Sequence, residues 1–126
     1  MTQEDRDLLL QDLCGRLPYG VKMNHIADIE NNPTALVGIA KTMITLESSA
    51  GYGTSDIEDY IPYLFPLSSM TEEQMDEYDN LKQDIWDKLK DWKCAKLLDW
   101  LNKNHFDYRG LIEKGLAIDC TNLNIY

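Results

Sequence analysis

The chain has 126 residues, a formal net charge of −10 and a hydrophobic content of 44%. This length predicts one domain, spanning residues 1–126, that is large enough to bury its own hydrophobic core. The acidic balance argues against nucleic acid and anionic membranes as partners, because phosphate binding needs clustered Lys and Arg side chains.

Residues 1–17 have the pattern of an amphipathic helix. Thr2 is a suitable N-cap, acidic residues occupy the first turn, and leucines recur at three- and four-residue spacing. Pro18 ends the helix, and we expect Gly15 to weaken its last turn by about 1 kcal/mol relative to alanine. The acidic N-terminus and the short apolar run at 8–10 predict neither a secretory signal nor a membrane span, which favours a cytoplasmic protein.

Residues 19–66 predict mainly strands. Alternating polarity from Tyr19 predicts a half-buried strand with His25 on its apolar face. Residues 34–40 and 42–47 are rich in β-branched and apolar side chains and predict two more strands.

Glycines and prolines divide the remainder of this region. Residues 51–55 (GYGTS) lack the lysine and the following helix of a phosphate-binding loop, so we interpret them as a hairpin turn. The segment around Pro62 predicts either a short helical turn or an edge strand. Residues 63–70 then predict an extended segment that crosses the sheet.

Residues 71–117 predict helices. Capping boxes at Ser69 or Thr71 place the start of the first near residue 71. Its apolar stripe and the stripe around Leu97 lie on opposite helix faces, which predicts a break between Lys90 and Lys93.

A helical corner is predicted after residue 104. Asp107 is positioned to N-cap a second short helix that Gly115 closes. The tail, 118–126, predicts a short strand or a docked extension. The fold class is therefore α+β, with an N-terminal helix, a small antiparallel sheet or partly open barrel, and C-terminal helices that end in this corner.

His105, Asp107 and Arg109 are the residues that most resemble a reactive cluster. A carboxylate near a histidine would orient a general base, and an arginine would bind an anion. However, residues two apart do not face each other on a helix, and no nucleophile motif is present. We interpret this cluster as structural, expect no catalytic residue, and keep a small enzyme as an alternative.

The chain offers little for metals or cofactors, and we expect none. Cys14, Cys94 and Cys120 are widely spaced and are interpreted as buried small side chains. The acidic group at 56–59 lacks the alternating ligands of a calcium loop and is interpreted as a surface turn.

Eight carboxylates lie between Glu72 and Asp91, against three lysines in the same stretch. They form either an ordinary solvated face or a surface that binds a basic partner. The predicted contact residues are the following: Glu72, Glu73, Asp76, Glu77 and Trp86.

Three blocks of sequence resemble uncharacterised small proteins carried by phages and prophages of anaerobic gut bacteria. They are DLLLQDLC with RLPYGVK (7–22), YLFPLSSMTEEQ (63–74), and DWLN with HFDYRGLIEKGLA (99–117). The resemblance implies a phage-type context and a bacterial cytoplasm, and it brings no known activity. We therefore expect a non-catalytic accessory protein that binds another protein, such as a host or defence factor; the alternative is an assembly protein that self-associates.

Overall fold

The computed structural model describes the backbone of residues 1–88 and 91–126, and their side chains except at positions 84–94. The fold is α+β, with an N-terminal helix, a curved mixed sheet that does not close, and further helices. The helices are α1 (Gln3–Arg16), α2 (Glu72–Lys88) and α3 (Asp91–Lys103). The strands are β1 (Lys22–His25), β2 (Thr34–Ala40), β3 (Met43–Ser48), β4 (Gly51–Asp56), β5 (Tyr60–Pro66), β6 (Phe106–Asp107) and β7 (Ile118–Asp119).

The N-terminal helix begins as its sequence predicts. The hydroxyl of Thr2 accepts a hydrogen bond from the Asp5 backbone N–H at 3.1 Å, and the Asp5 carboxylate accepts one from the Thr2 N–H at 3.4 Å. Two of the orphan donors of the first turn are thereby satisfied. Leu9, in the middle of the helix, and Leu13, in its C-terminal half, are both fully buried in the core.

The sheet has the strand order β4-β3-β2-β1-β5-β6, and β7 also pairs with β5. The first five strands are antiparallel neighbours, and the predicted strands at β2 and β3 are confirmed. The expected antiparallel arrangement holds for β1 to β5, whereas β6 and β7 both run parallel to β5, so the sheet is mixed. Parallel pairing needs a long crossover, and helices α2 and α3 supply it between β5 and β6.

The segment 51–55 is a strand and not the predicted hairpin turn. Only Ser49 and Ala50 form the turn, and β4 pairs with β3 over six positions, from Ser48 with Gly51 to Met43 with Asp56. Glycine is depleted in strands, so the composition of this segment concealed it. The prediction for Pro62 is also corrected, since β5 is an interior strand with neighbours on both sides.

The predicted burial pattern of β1 fails at its last two residues. Asn24 is buried and His25 is exposed. The Asn24 amide donates to the carbonyls of His25 and Asp28, at 3.1 and 2.9 Å, because the chain turns here into the β1–β2 loop. Cys14 is likewise exposed, whereas Cys120 is buried as expected; the side chain of Cys94 lies outside the described residues.

Helix α2 begins at the predicted place. Thr71 and Gln74 form a reciprocal capping box, with N···O distances of 3.2 and 3.0 Å. The rings of Tyr78 and Trp100 stack with centroids 6.2 Å apart, although 22 residues of straight helix would separate them by roughly 33 Å. The chain therefore reverses between these residues. The predicted break between Lys90 and Lys93 includes position 90, which with position 89 lies outside the described residues.

The segment after α3 forms turns in place of the predicted second helix. Residues 111–117 are hydrogen-bonded turns and bends, with the Leu116 N–H donating to the Leu111 carbonyl at 2.9 Å. Leu111, Leu116 and Ala117 enter the core from these turns. The core joins α1, the inner face of the sheet and this C-terminal segment; its buried members include Leu9, Leu13, Val21, Met23, Leu36, Ile44, Leu46, Ile57, Leu64 and Leu111.

Candidate functional site

Asp107 uses its carboxylate to hold the turn that follows it. Its Oδ1 accepts from the backbone N–H of Arg109 and Leu111, and its Oδ2 accepts from the N–H of Ile112, at 3.0 to 3.3 Å. The residue is 8% exposed. Both oxygens are therefore occupied by structural hydrogen bonds, so the carboxylate is not free to orient a histidine.

Arg109 belongs to an ion-pair network with α1. Its Nε lies 3.3 Å from Oδ1 of Asp12. The same carboxylate accepts from Arg16, whose Nε donates to Oδ2 at 2.7 Å and whose Nη2 donates to Oδ1 at 3.2 Å. Arg16 donates in addition to the Phe106 carbonyl at 2.6 Å. Both guanidinium groups lie 5.2 Å from the ring centroid of Tyr108. Arg109 is thus engaged by a carboxylate and a ring of its own chain.

His105 lies at the end of α3 with a left-handed backbone, φ +62°. Its ring stacks on the ring of Tyr126 with centroids 3.7 Å apart and planes at 10°. Burial, together with the positive charge of Arg16, lowers the pKa of His105 to about 4. The imidazole is therefore neutral at physiological pH, and it is a weaker base than a free histidine.

The three residues of the predicted cluster do not line one pocket together, and each has a contact within its own chain. A surface cleft of about 360 Å³ lies beside Asp107, with Pro66, Tyr108 and Ile112 in its wall, but His105 and Arg109 do not line it. Burial raises the pKa of the Cys120 thiol to about 11, so the thiol is protonated at neutral pH. Within the described residues, no group of three His, Cys, Asp or Glu side chains is placed to hold a metal ion.

The predicted contact residues at the start of α2 are exposed. Glu72, Glu73, Asp76 and Glu77 all face solvent. Glu77 accepts a hydrogen bond from the indole N–H of Trp100 at 2.7 Å, which ties α2 to α3. The side chain of Trp86 lies outside the described residues. The four carboxylates are therefore accessible at the surface, and their contact with a partner stays a prediction.

Two features of the structure went unnoticed in the sequence. The first is the Asp12–Arg16 pair, whose four-residue spacing on a helix was a usable signal. The second is the outer strand β4 and a cavity of about 200 Å³ beside it, which glycine-rich composition concealed. The cavity lies on the inner face of the sheet, lined by Thr34, Leu46, Ser48, Gly51, Gly53 and Tyr60.

Comparison of the chain with models of protein families, with curated proteins and with solved structures finds no match in any of the three. In the described part of the chain, every helix is too short or too polar to cross a membrane.

Proposed function

We propose that the chain is a non-catalytic accessory protein of phage type that binds another protein, and that the N-terminal half of α2 is its contact surface. The supporting observation is a group of exposed carboxylates on α2 that no cation of the described chain neutralises. We call this group the acidic face; it consists of Glu72, Glu73, Asp76, Glu77 and Asp79.

Some charged side chains elsewhere in the described chain do form ion pairs. Arg6 pairs with Glu58 between α1 and the turn before β5, and Asp12 pairs with two arginines. On α2 itself, Lys82 lies over the ring of Tyr78, 4.6 Å from its centroid. Within the described residues, no ion pair reaches Glu72, Glu73, Asp76 or Asp79. The acidic face therefore presents its charge to solvent.

Uncompensated like charges carry an energetic cost on a helix. Carboxylates three or four residues apart, such as Glu72 with Asp76 and Glu73 with Glu77, destabilise a helix by roughly 0.2–0.5 kcal/mol for each pair. The helix dipole offsets this only in the first turn. A basic partner surface would relieve the repulsion on binding and would also speed association by electrostatic steering.

The placement of α2 makes this face accessible. The helix packs on α3 through Tyr78 and Trp100. Met75, one turn of helix from both Glu72 and Asp79, is 46% exposed. An exposed apolar side chain at the margin of a charged surface is suited to a protein partner, since it adds buried apolar area to a charged contact.

The test is affinity capture of the tagged chain from a lysate of the bacterium that carries it. A variant with Glu72→Gln, Glu73→Gln, Asp76→Asn and Glu77→Gln is compared with the native chain, at about 50 and about 300 mM salt. The matched control changes net charge equally at exposed acids elsewhere, with Glu4→Gln, Glu30→Gln, Asp59→Asn and Glu113→Gln. A partner retained by the native chain and the control at low salt, and lost with the α2 variant and at high salt, supports the proposal. Equal retention by all three chains contradicts it.

A further inference from the structure

The outer edge of β4 has none of the features that usually block a sheet edge. Of its six residues only Asp56, at one end, is charged; the strand contains no proline or lysine, and its pairing with β3 runs without a bulge. Edge strands with free backbone groups pair readily with another strand, and natural proteins commonly protect them with those same features. The edge of β4 is therefore open to an added strand.

The cavity beside β4 lies against the inner face of that strand and is open to solvent. Gly51, Gly53 and Ser55 occupy the inward positions of the strand, and Leu46 lies opposite Gly53 on β3. A Cβ placed at Gly53 would meet no atom within 4 Å, whereas one at Gly38 would meet Thr45 at 3.3 Å. Glycine within a strand often marks a place where a ligand or another backbone approaches closely. Gly53 thus leaves unfilled space above a hydrophobic floor.

From this combination we infer that the β4 edge binds an extended segment of a partner protein as an added strand, with a large apolar or aromatic side chain in the cavity over Gly53. Backbone hydrogen bonds would supply affinity, and the cavity would supply selectivity, as in other cases of strand addition. An aromatic side chain opposite a strand glycine covers the exposed backbone and compensates for its missing side chain.

Charge indicates the character of the partner segment. The outer face next to this edge carries Glu47 and Asp56, and the chain as a whole carries −10. A segment with apolar residues on one face and Lys or Arg on the other complements the cavity on the inner side and the acidic residues on the outer side. Tyr52, 74% exposed on the same outer face, offers a ring to those cationic side chains.

A second copy of this chain is a poorer occupant than a basic segment. Antiparallel pairing of two β4 strands would bring only Gly51, Gly53 and Ser55 to the inner face, and none of these can fill the cavity. Two chains of charge −10 also repel each other. The inference concerns a surface other than the acidic face, so either can fail without the other.

The probe is a synthetic peptide with alternating residues, acetyl-Lys-Val-Lys-Tyr-Lys-Val-Lys-amide, added to the ¹⁵N-labelled full chain at up to about 1 mM. A peptide of the same composition with the alternation scrambled is the control ligand. We expect amide shifts and slowed hydrogen exchange confined to β4 and the cavity lining with the alternating peptide only. No change at residues 51–56, or equal changes with the scrambled peptide, would overturn the inference.

Two variants test the edge and the cavity separately. Gly53→Val fills the cavity where the structure has room, and Thr54→Lys adds a positive charge to the open edge; Gln11→Lys on α1 makes the same charge change elsewhere. Each β4 variant is expected to weaken peptide binding by about tenfold or more, and Gln11→Lys to leave it unchanged. Unaltered binding by folded Gly53→Val and Thr54→Lys chains contradicts the inference. Concentration-dependent dimers with protected β4 amides, without peptide, would assign the edge to a second copy and also overturn it.

Discussion

Asp12 accepts two hydrogen bonds from Arg16 one turn later on α1, and neither side chain has any surface exposed to solvent. The pair connects α1 to the C-terminal segment, because Arg16 also bonds the Phe106 carbonyl and Arg109 pairs with the same carboxylate. A buried pair of this kind adds little net stability in itself, but removing one member leaves a buried charge uncompensated.

Truncation of the Asp12 side chain should therefore lower the stability of the fold strongly. Asp12→Ala leaves two arginines facing each other without a carboxylate, and we expect the free energy of unfolding to fall by about 3–5 kcal/mol. Urea denaturation measures this loss. In a double-mutant cycle, Asp12→Leu with Arg16→Met should lose clearly less than the sum of the two single changes. Strict additivity would show that the pair is not coupled.

Gly15 shows why a local rule can fail. Its sequence position predicts that alanine would stabilise α1, but a Cβ there would lie 3.0 Å from the Asn102 amide nitrogen. Asn102 is 5% exposed, and its side-chain oxygen accepts a hydrogen bond from the Tyr108 hydroxyl at 2.9 Å. We expect Gly15→Ala to destabilise the native chain by about 1 kcal/mol, since the amide must shift.

The same change in an Asn102→Ala background should stabilise the chain by up to about 1 kcal/mol, because only the helix propensity then acts. Thermal unfolding of the four chains measures both effects. Stabilisation of the native chain by Gly15→Ala would show that the Asn102 side chain shifts without loss of stability.

His105 should make stability depend on pH. Its pKa is about 4 in the folded chain, against 6.5 for an unperturbed histidine, so the unfolded chain binds the extra proton first as pH falls. The free energy of unfolding should therefore decrease from about pH 6.5 down to about pH 4. Burial raises the pKa of Tyr126, whose ring stacks on His105, so this hydroxyl does not titrate in that range.

The variant His105→Asn isolates this contribution, since asparagine tolerates the left-handed backbone at this position. Urea titrations between pH 7 and pH 4.5 should give a shallower decrease for His105→Asn than for the native chain. The control is His25→Asn, at an exposed position. An identical slope in native and His105→Asn chains would contradict the assignment.

Tyr126 links two neighbouring strands through its hydroxyl. The Lys22 backbone N–H donates to this oxygen at 2.8 Å, and the hydroxyl donates to the Tyr63 carbonyl, also at 2.8 Å. Tyr126→Phe removes both bonds but retains the ring on His105, so we expect a loss of about 1–3 kcal/mol. Tyr52→Phe is the control, with an expected change within about 0.5 kcal/mol at an exposed site. Equal stability of Tyr126→Phe and native chains would contradict this role.

Local signals in the sequence predicted much of the fold. Two helix caps, at Thr2 and Thr71, and strands β2 and β3 depend on residues close in sequence, so their patterns predicted them. The elements whose prediction was corrected depend on contacts with residues far away in sequence. Arg16 and Phe106 are 90 positions apart, and β4 is a strand because β3 pairs with it despite its glycines. Asp107 was correctly recognised as a cap, although the segment it caps forms turns.

Of the candidate site, only the solvent exposure of its charged side chains could be predicted from the sequence. Carboxylates concentrated on one helix are readily expected at the surface, and the first turns of α2 are exposed. The partners of Arg109 and His105 could not be predicted, because they come from α1 and from the C-terminal tail, which pack against the same segment. An open sheet edge has no local signature either, since openness is defined by which strands do not pair with it.

Photo-crosslinking in cells of the proposed bacterial host asks whether the acidic face of α2 contacts a partner protein. A benzoylphenylalanine at position 73 lies within the acidic face, and one at the exposed position 11 on α1 serves as the control. We expect one discrete adduct with a basic protein from position 73, weakened by raised salt in the matching lysate, and none from position 11. No adduct at position 73, or the same adducts from both positions, would contradict the proposed contact.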